Sequence, residues 1–141
     1  MSTNTKVTFF NNAVSDETGE IQFYVIAHNE LNGRSSIDRK NLGNHHVKEI
    51  KVTTLTFSKI MERLNLPNIE KILIKVDVEG HENQVLRSII EYFDMNTHIK
   101  ELMLLVEIRD KNIDEIKKNF ITKFTTFRKI SYDDYLITLK R

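Results

Sequence analysis

Three carboxylates and a histidine crowd one stretch of this sequence: Asp77, Glu79, His81 and Glu82, within Lys75-Val76-Asp77-Val78-Glu79-Gly80-His81-Glu82. Carboxylates of this density are the groups that hold cations, orient donors and take protons from hydroxyls. Asp77 ends an apolar run, and an ionised group there needs a ligand, a cation or good hydrogen bonds. Glu82 opens the following helix, where the dipole alone stabilises a carboxylate by roughly 0.3–1 kcal/mol. Asp77, Glu79 and His81 also raise a metal-dependent hydrolase as an alternative, although their spacing matches no strong metal-binding signature. His81 itself reads as an exposed residue of the first helical turn.

The elements that must position this cluster follow from hydrophobic period. Ile72-Leu73-Ile74 with Val76 and Val78 predicts a strand covered on both faces of a parallel sheet. Gly80 breaks it, and Val85, Leu86, Ile89, Ile90 and Phe93 then recur at helical spacing. Leu102 to Val106 is a second fully apolar strand, ending at Glu107. Asn112 with Glu115 gives a start resembling a capping box for a helix lined by Ile113, Ile116 and Phe120. Phe124 to Ile130 and Tyr135 to Leu139 alternate around Ser131–Asp134 as a closing antiparallel hairpin. Upstream, Lys6 to Val14 and Glu20 to Ile26 predict an antiparallel hairpin about the turn Ser15–Gly19. Glu49 to Thr54 alternates as a further strand. A helix over Leu55 to Leu64 is capped by Thr56 and stopped before Pro67. The stretch 28–46, rich in Asn, Gly and Ser, predicts one long loop. The fold class is therefore α/β, with parallel central strands and an antiparallel edge. Ligands of open α/β sheets sit beyond the carboxyl ends of the parallel strands, here Asp77 to Glu82 and Glu107 to Asp110.

Composition narrows the classes of function. At 141 residues, residues 1–141 predict a single domain. Twenty-one basic against twenty acidic residues leave a net charge of +1, which excludes an electrostatic nucleic-acid binder. With no cysteine there is no disulfide framework, thiolate metal site or cysteine nucleophile. No apolar run approaches the ~20 residues of a membrane helix, and the polar start lacks a signal-peptide core. The expectation is a soluble cytoplasmic protein with no nucleic-acid or membrane partner.

Lys75 to Glu82, followed by Val85-Leu86, resembles the hallmark of FkbM-type methyltransferases, roughly K-I-D-V-E-G-x-E then V-L. Other stretches fall in that family's order: Asn12-Ala13-Val14-Ser15-Asp16 with Gly19, Ile21 to Val25, Ser35-Ser36-Ile37, Val52 to Leu55, and Leu104 to Ile108. The resemblance runs from about residue 7 to 139. It implies a class I, Rossmann-like fold, S-adenosylmethionine as cofactor, and O-methyl transfer to a hydroxyl of a small molecule or glycan. It places Asn12, Ala13 and Val14 near the adenine and Asp77 beside the methyl-bearing part of the cofactor. Glu79 and Glu82 would shape the site, one carboxylate orienting or deprotonating the acceptor.

Two departures stand out. The family's Leu-Asp at the helix entry is Leu55-Thr56, so one carboxylate is missing while the cap survives. The four glycines, at 19, 33, 43 and 80, are isolated, so the glycine-rich turn that lets backbone approach the cofactor is absent. The chain thus resembles the C-terminal part of the family, truncated at the N-terminus. Its strand 71–78 is then expected to have an open edge, met by a homodimer or by a complementary N-terminal half. On this reading the chain alone binds S-adenosylmethionine weakly or not at all. A non-catalytic half-domain that pairs with another subunit is the alternative.

Overall fold

The structure, a computed structural model, describes residues 6–26, 36, 39–44 and 46–141. Most of the loop expected at 28–46 lies outside the described residues, as do Ser35 and Ile37. Among the described residues the fold is mixed α/β. β1 (Ala13–Val14), β2 (Gly19–Ile26) and β3 (Val47–Leu55) form one sheet in the order β1-β3-β2. β4 (Lys71–Val76), β5 (Glu101–Glu107), β6 (Thr126–Lys129) and β7 (Asp134–Lys140) form a second in the order β4-β5-β7-β6. The helices are α1 (Phe57–Leu64), α2 (Glu82–Met95) and α3 (Asp110–Phe120), and none of them is long and apolar enough to cross a membrane.

The first sheet corrects the expected hairpin. Lys6 to Asn12 form no strand, and Phe9 is 90% exposed. Alternation provides a face, but a strand also needs a hydrogen-bonding edge, and only Ala13 and Val14 find one, parallel to Thr54 and Leu55. β2 pairs antiparallel with β3 rather than with β1. Thr54 therefore faces Ala13 on one side and Gly19 on the other, and residues 15–18 pass around the end of β3. The Thr54 hydroxyl donates to Glu17 O at 2.8 Å and fixes that passage.

The second sheet follows the expected order more closely. β4 and β5 are parallel, and β7 and β6 add antiparallel strands. Leu102, Leu104 and Val106 of β5 share one buried cluster with Leu86 and Ile89 of α2 and Ile116 of α3. Each such buried side chain contributes roughly 1.5–3 kcal/mol. The expectation of strands covered on both faces is not met. Burial alternates along β4, with Lys71, Leu73 and Lys75 outward and Leu73 73% exposed. All the deep burial lies on one side, so an apolar run is not by itself a sign of two covered faces. No described strand pairs with the outer edge of β4.

α1 begins as its sequence predicts, the Thr56 hydroxyl accepting from Lys59 N at 3.3 Å. Phe57 N donates to Ser88 Oγ at 2.7 Å, and the Phe57 and Tyr92 rings meet edge to face at 5.2 Å, locking α1 against α2. α3 starts earlier than expected, with Arg109 rather than Asn112 at the cap. The Asn112 amide is used elsewhere.

Candidate functional site at the carboxyl ends of the parallel strands

β4 releases the chain at Val76, and the next five residues turn it into α2. Gly80 makes this turn possible, with φ of +91°, a conformation side chains resist. Its N–H donates to Val78 O and to Glu82 Oε1, both at 2.9 Å. Glu82 is only 3% exposed, and its second oxygen accepts from Asn112 Nδ2 at 3.0 Å. Both oxygens are thus engaged inward, tying the turn to α3. A carboxylate at a helix N-terminus accepting two donors is a stable arrangement.

His81 corrects the expectation of an exposed residue: it is 7% exposed. Its Nε2 lies 3.0 Å from Ser15 Oγ, and that hydroxyl donates to Asp16 Oδ1 at 3.1 Å. A hydroxyl has one proton and an ionised carboxylate has none to give, so His81 donates through Nε2–H and is the Nε2 tautomer. Burial pushes the imidazole below its usual 6.5, partly offset by the Asp16 charge. Asp16 also pairs with Arg87 of α2, Nη1 to Oδ2 at 3.4 Å. The end of β1 is thereby pinned to the start of α2. The segment Asn12, Ala13 and Val14, half-buried, leads directly into this contact, and the Asn12 amide donates to Thr53 Oγ1 at 2.6 Å.

Outside these inward groups stand Asp77, which is exposed, and the half-buried Glu79 and Glu107. Asp77 pairs with Lys75 at 2.8 Å, its side chain half exposed. Glu79 makes an ion pair with Arg109, and its carbonyl accepts from Ser36 Oγ at 2.5 Å. Glu107 ends β5 opposite Asp134 of β7. Burial raises the Glu107 carboxyl above its usual range, reinforced by Asp77, Glu79 and Asp134 and opposed by Arg109. The rim is therefore acidic, with Lys75 and Arg109 as its cations. Among the described residues no three His, Asp or Glu side chains converge as ligands for a metal ion.

Asp77, Glu79 and Glu82 share one turn, yet only Asp77 and Glu79 face outward. Sequence reasoning missed Ser15 as the partner of His81, Asn112 as the partner of Glu82, and Arg109 as the partner of Glu79. Arg109 follows Glu107 by two residues, which is the one local signal available. An open cleft of about 550 Å³ lies elsewhere, lined by Ser58, Met61, Asn65, Pro67, Tyr92 and His98 among others. It sits where the chain enters β4 and β5, at the opposite end from the carboxylates.

A family model described as the methyltransferase FkbM domain matches residues 2–133. No curated protein and no solved structure matches the chain. The family match spans β1, the acidic turn and β5 together, and on that extent the chain belongs to the FkbM methyltransferase family.

Proposed function

We propose that the chain is a class I, Rossmann-like methyltransferase domain that uses S-adenosylmethionine to methylate a hydroxyl of a small molecule or glycan. The observation that carries the reading is the family match combined with the place of the 75–82 octapeptide, at the carboxyl end of a parallel pair. Ligands of open α/β sheets bind at that end.

The donor set fits the cationic part of such a cofactor. Burial raises the Glu107 carboxyl and the charges of Asp77, Glu79 and Asp134 add to it, so a cation in that field is favoured. When bound, S-adenosylmethionine supplies an electrophilic methyl group on a positive sulfur. Asp77 acts as a positioning residue rather than a base. Transfer quenches the positive charge, so a carboxylate in tight contact favours the ground state over the transition state. Asn12, Ala13 and Val14 are assigned to the adenine side. Glu79, held by Arg109, orients the acceptor. Glu107, whose carboxyl lies above the usual range, takes the hydroxyl proton, a contribution of about 10²–10⁴-fold. Glu82 holds the turn that presents them. Aligning the acceptor oxygen is the larger effect.

Calorimetry of S-adenosylmethionine into the full chain and its Asp77→Asn variant tests this. The chain is expected to bind weakly, with a dissociation constant of about 100 μM or more, and D77N more weakly still. Binding indifferent to D77N overturns the assignment, and no binding at millimolar cofactor favours the non-catalytic reading instead. A low-micromolar constant would instead overturn the expectation that the missing glycine-rich turn limits affinity. A non-catalytic half-domain is the second reading, favoured by an outer edge of β4 that no described strand covers.

A further inference from the structure

We propose that His81 is a positioning residue that clamps Asn12 to Val14 and Asp77 to Gly80 into one site, and releases them when its imidazole takes up a proton. The consequence for the cofactor rests on the methyltransferase reading; the clamp itself does not. His81 stands at the N-cap of α2, with φ of −117° and ψ of 18°, and its side chain caps nothing there. It crosses instead to Ser15 Oγ, 66 residues away in sequence. Ser15 N donates to Leu55 O at 3.0 Å, which holds that residue to the end of β3. Asp16 reaches the same helix through Arg87, roughly 9 Å further along its axis. Two adjacent residues after β1 thus grip the first two turns of α2. The segments that lead into the grip from either side are the two assigned to the cofactor. His81 acts only through the segments it holds.

The clamp suits only the neutral ring. Nε2–H donates to Ser15, and Nδ1 has no partner among the described residues. A second proton adds an N–H donor without an acceptor, and a charge where the residue is 7% exposed. The positive end of α2 opposes that charge. Asp16 favours it, but Asp16 is already paired with Arg87. Among the described residues the other charged neighbours are turned elsewhere, Glu82 to the Gly80 N–H and Asn112, and Glu79 to Arg109. The end of β3 beside Ser15 brings only Thr54 and Leu55, which carry no charge. The charged ring is relieved by turning out to water, and that breaks the contact with Ser15.

Amide hydrogen exchange on the full chain without cofactor tests the clamp, read as protection factors from neutral pH down to the onset of acid unfolding. The reporters are the Ser15 amide, bonded to Leu55 O, and the Gly80 amide, bonded to Val78 O and Glu82. Their protection is expected to fall about tenfold below the ordinary imidazole range while amides of β5 and β7 keep theirs. His81→Gln sets a non-titrating N–H near the position of Nε2, and should hold neutral-pH protection throughout. His81→Ala should lack it at every pH. Protection that ignores pH in the wild type, or that falls equally in H81Q, overturns the proposal. Calorimetry carries the test to the cofactor. S-adenosylmethionine affinity should fall about tenfold over the same interval in the wild type and not in H81Q. Linkage requires the converse, so bound cofactor should lower the pH at which His81 titrates, by about one pH unit for that coupling. Affinity that ignores the opening overturns the positioning role. Opening with no cofactor binding at any pH supports the clamp and counts against the methyltransferase reading.

Discussion

The two ends of β4 and β5 are built from opposite materials. At the carboxyl ends stand Asp77, Glu79, Glu107 and Asp134 with Lys75 and Arg109, and Glu82 is sealed beneath them. At the amino ends stand Asn65, Asn68, Asn96 and His98 around an open cleft. The cleft is shaped locally, with Asn65 and Asn68 turning the chain at positive φ, which asparagine tolerates. The acidic end is held across the sequence, by His81 to Ser15, Glu79 to Ser36 and Glu82 to Asn112. Among the described residues this cleft and the convergent carboxylates stand at opposite ends of the parallel pair.

Substitutions at the acidic end should show how far that difference goes. The largest effect is expected from Glu82→Ala. It takes one of two acceptors from the Gly80 N–H and strands the Asn112 amide, and should cost about 2–4 kcal/mol in urea unfolding. At the amino end, Tyr92→Phe should stay within about 0.5 kcal/mol, because the ring packing on Phe57 is kept. A Tyr92→Phe loss as large as that of E82A would break the comparison.

Next comes Ser15→Ala, which leaves the buried His81 N–H without a partner, at about 1–3 kcal/mol. The same contact sets a pH dependence. Burial lowers the folded pKa of His81 below its ordinary 6.5, so between the two values the unfolded chain binds more protons. Stability is then full above 6.5 and falls as pH drops through the folded value. Melting curves of His81→Gln should lose that slope.

Glu107→Gln should act in the other direction. The folded carboxyl is raised above 4.5, so its ionisation opposes folding as pH rises through the folded value. E107Q should raise the melting temperature at neutral pH and leave it unchanged in acid, while slowing any methyl transfer by about 10²–10⁴-fold. The smallest stability effect is expected for Asp77→Asn. It removes only an exposed ion pair, so its melt should match the wild type while its cofactor binding weakens.

The second sheet was largely legible because its signals are local. The β4 run, the Gly80 break, the α2 period and the final hairpin all lie where the sequence puts them, and Thr56 caps α1. The first sheet was not, because alternation reveals a face and never a partner. Nothing in Val7 to Val14 says that β3 will stand between it and β2. His81 was misjudged for the same reason: its hydrogen-bond partner lies 66 residues away, across the join of β1 and α2. Leu73 was expected inside because an apolar run does not say how many faces of a sheet are covered. The acidic turn could be found by residue type and spacing, but which of its carboxylates faces outward depended on Asn112 and Arg109.

The central claim is that the turn from Asp77 to Glu82 is the cofactor end of the molecule. Titrating S-adenosylmethionine into ¹⁵N-labelled chain while following backbone amides tests it most directly. The account predicts shifts at 77–82, at Glu107 and through Asn12 to Ser15, with Asn65, Asn68 and His98 unmoved. Shifts confined to the cleft around Tyr92, or none at saturating cofactor, would contradict it.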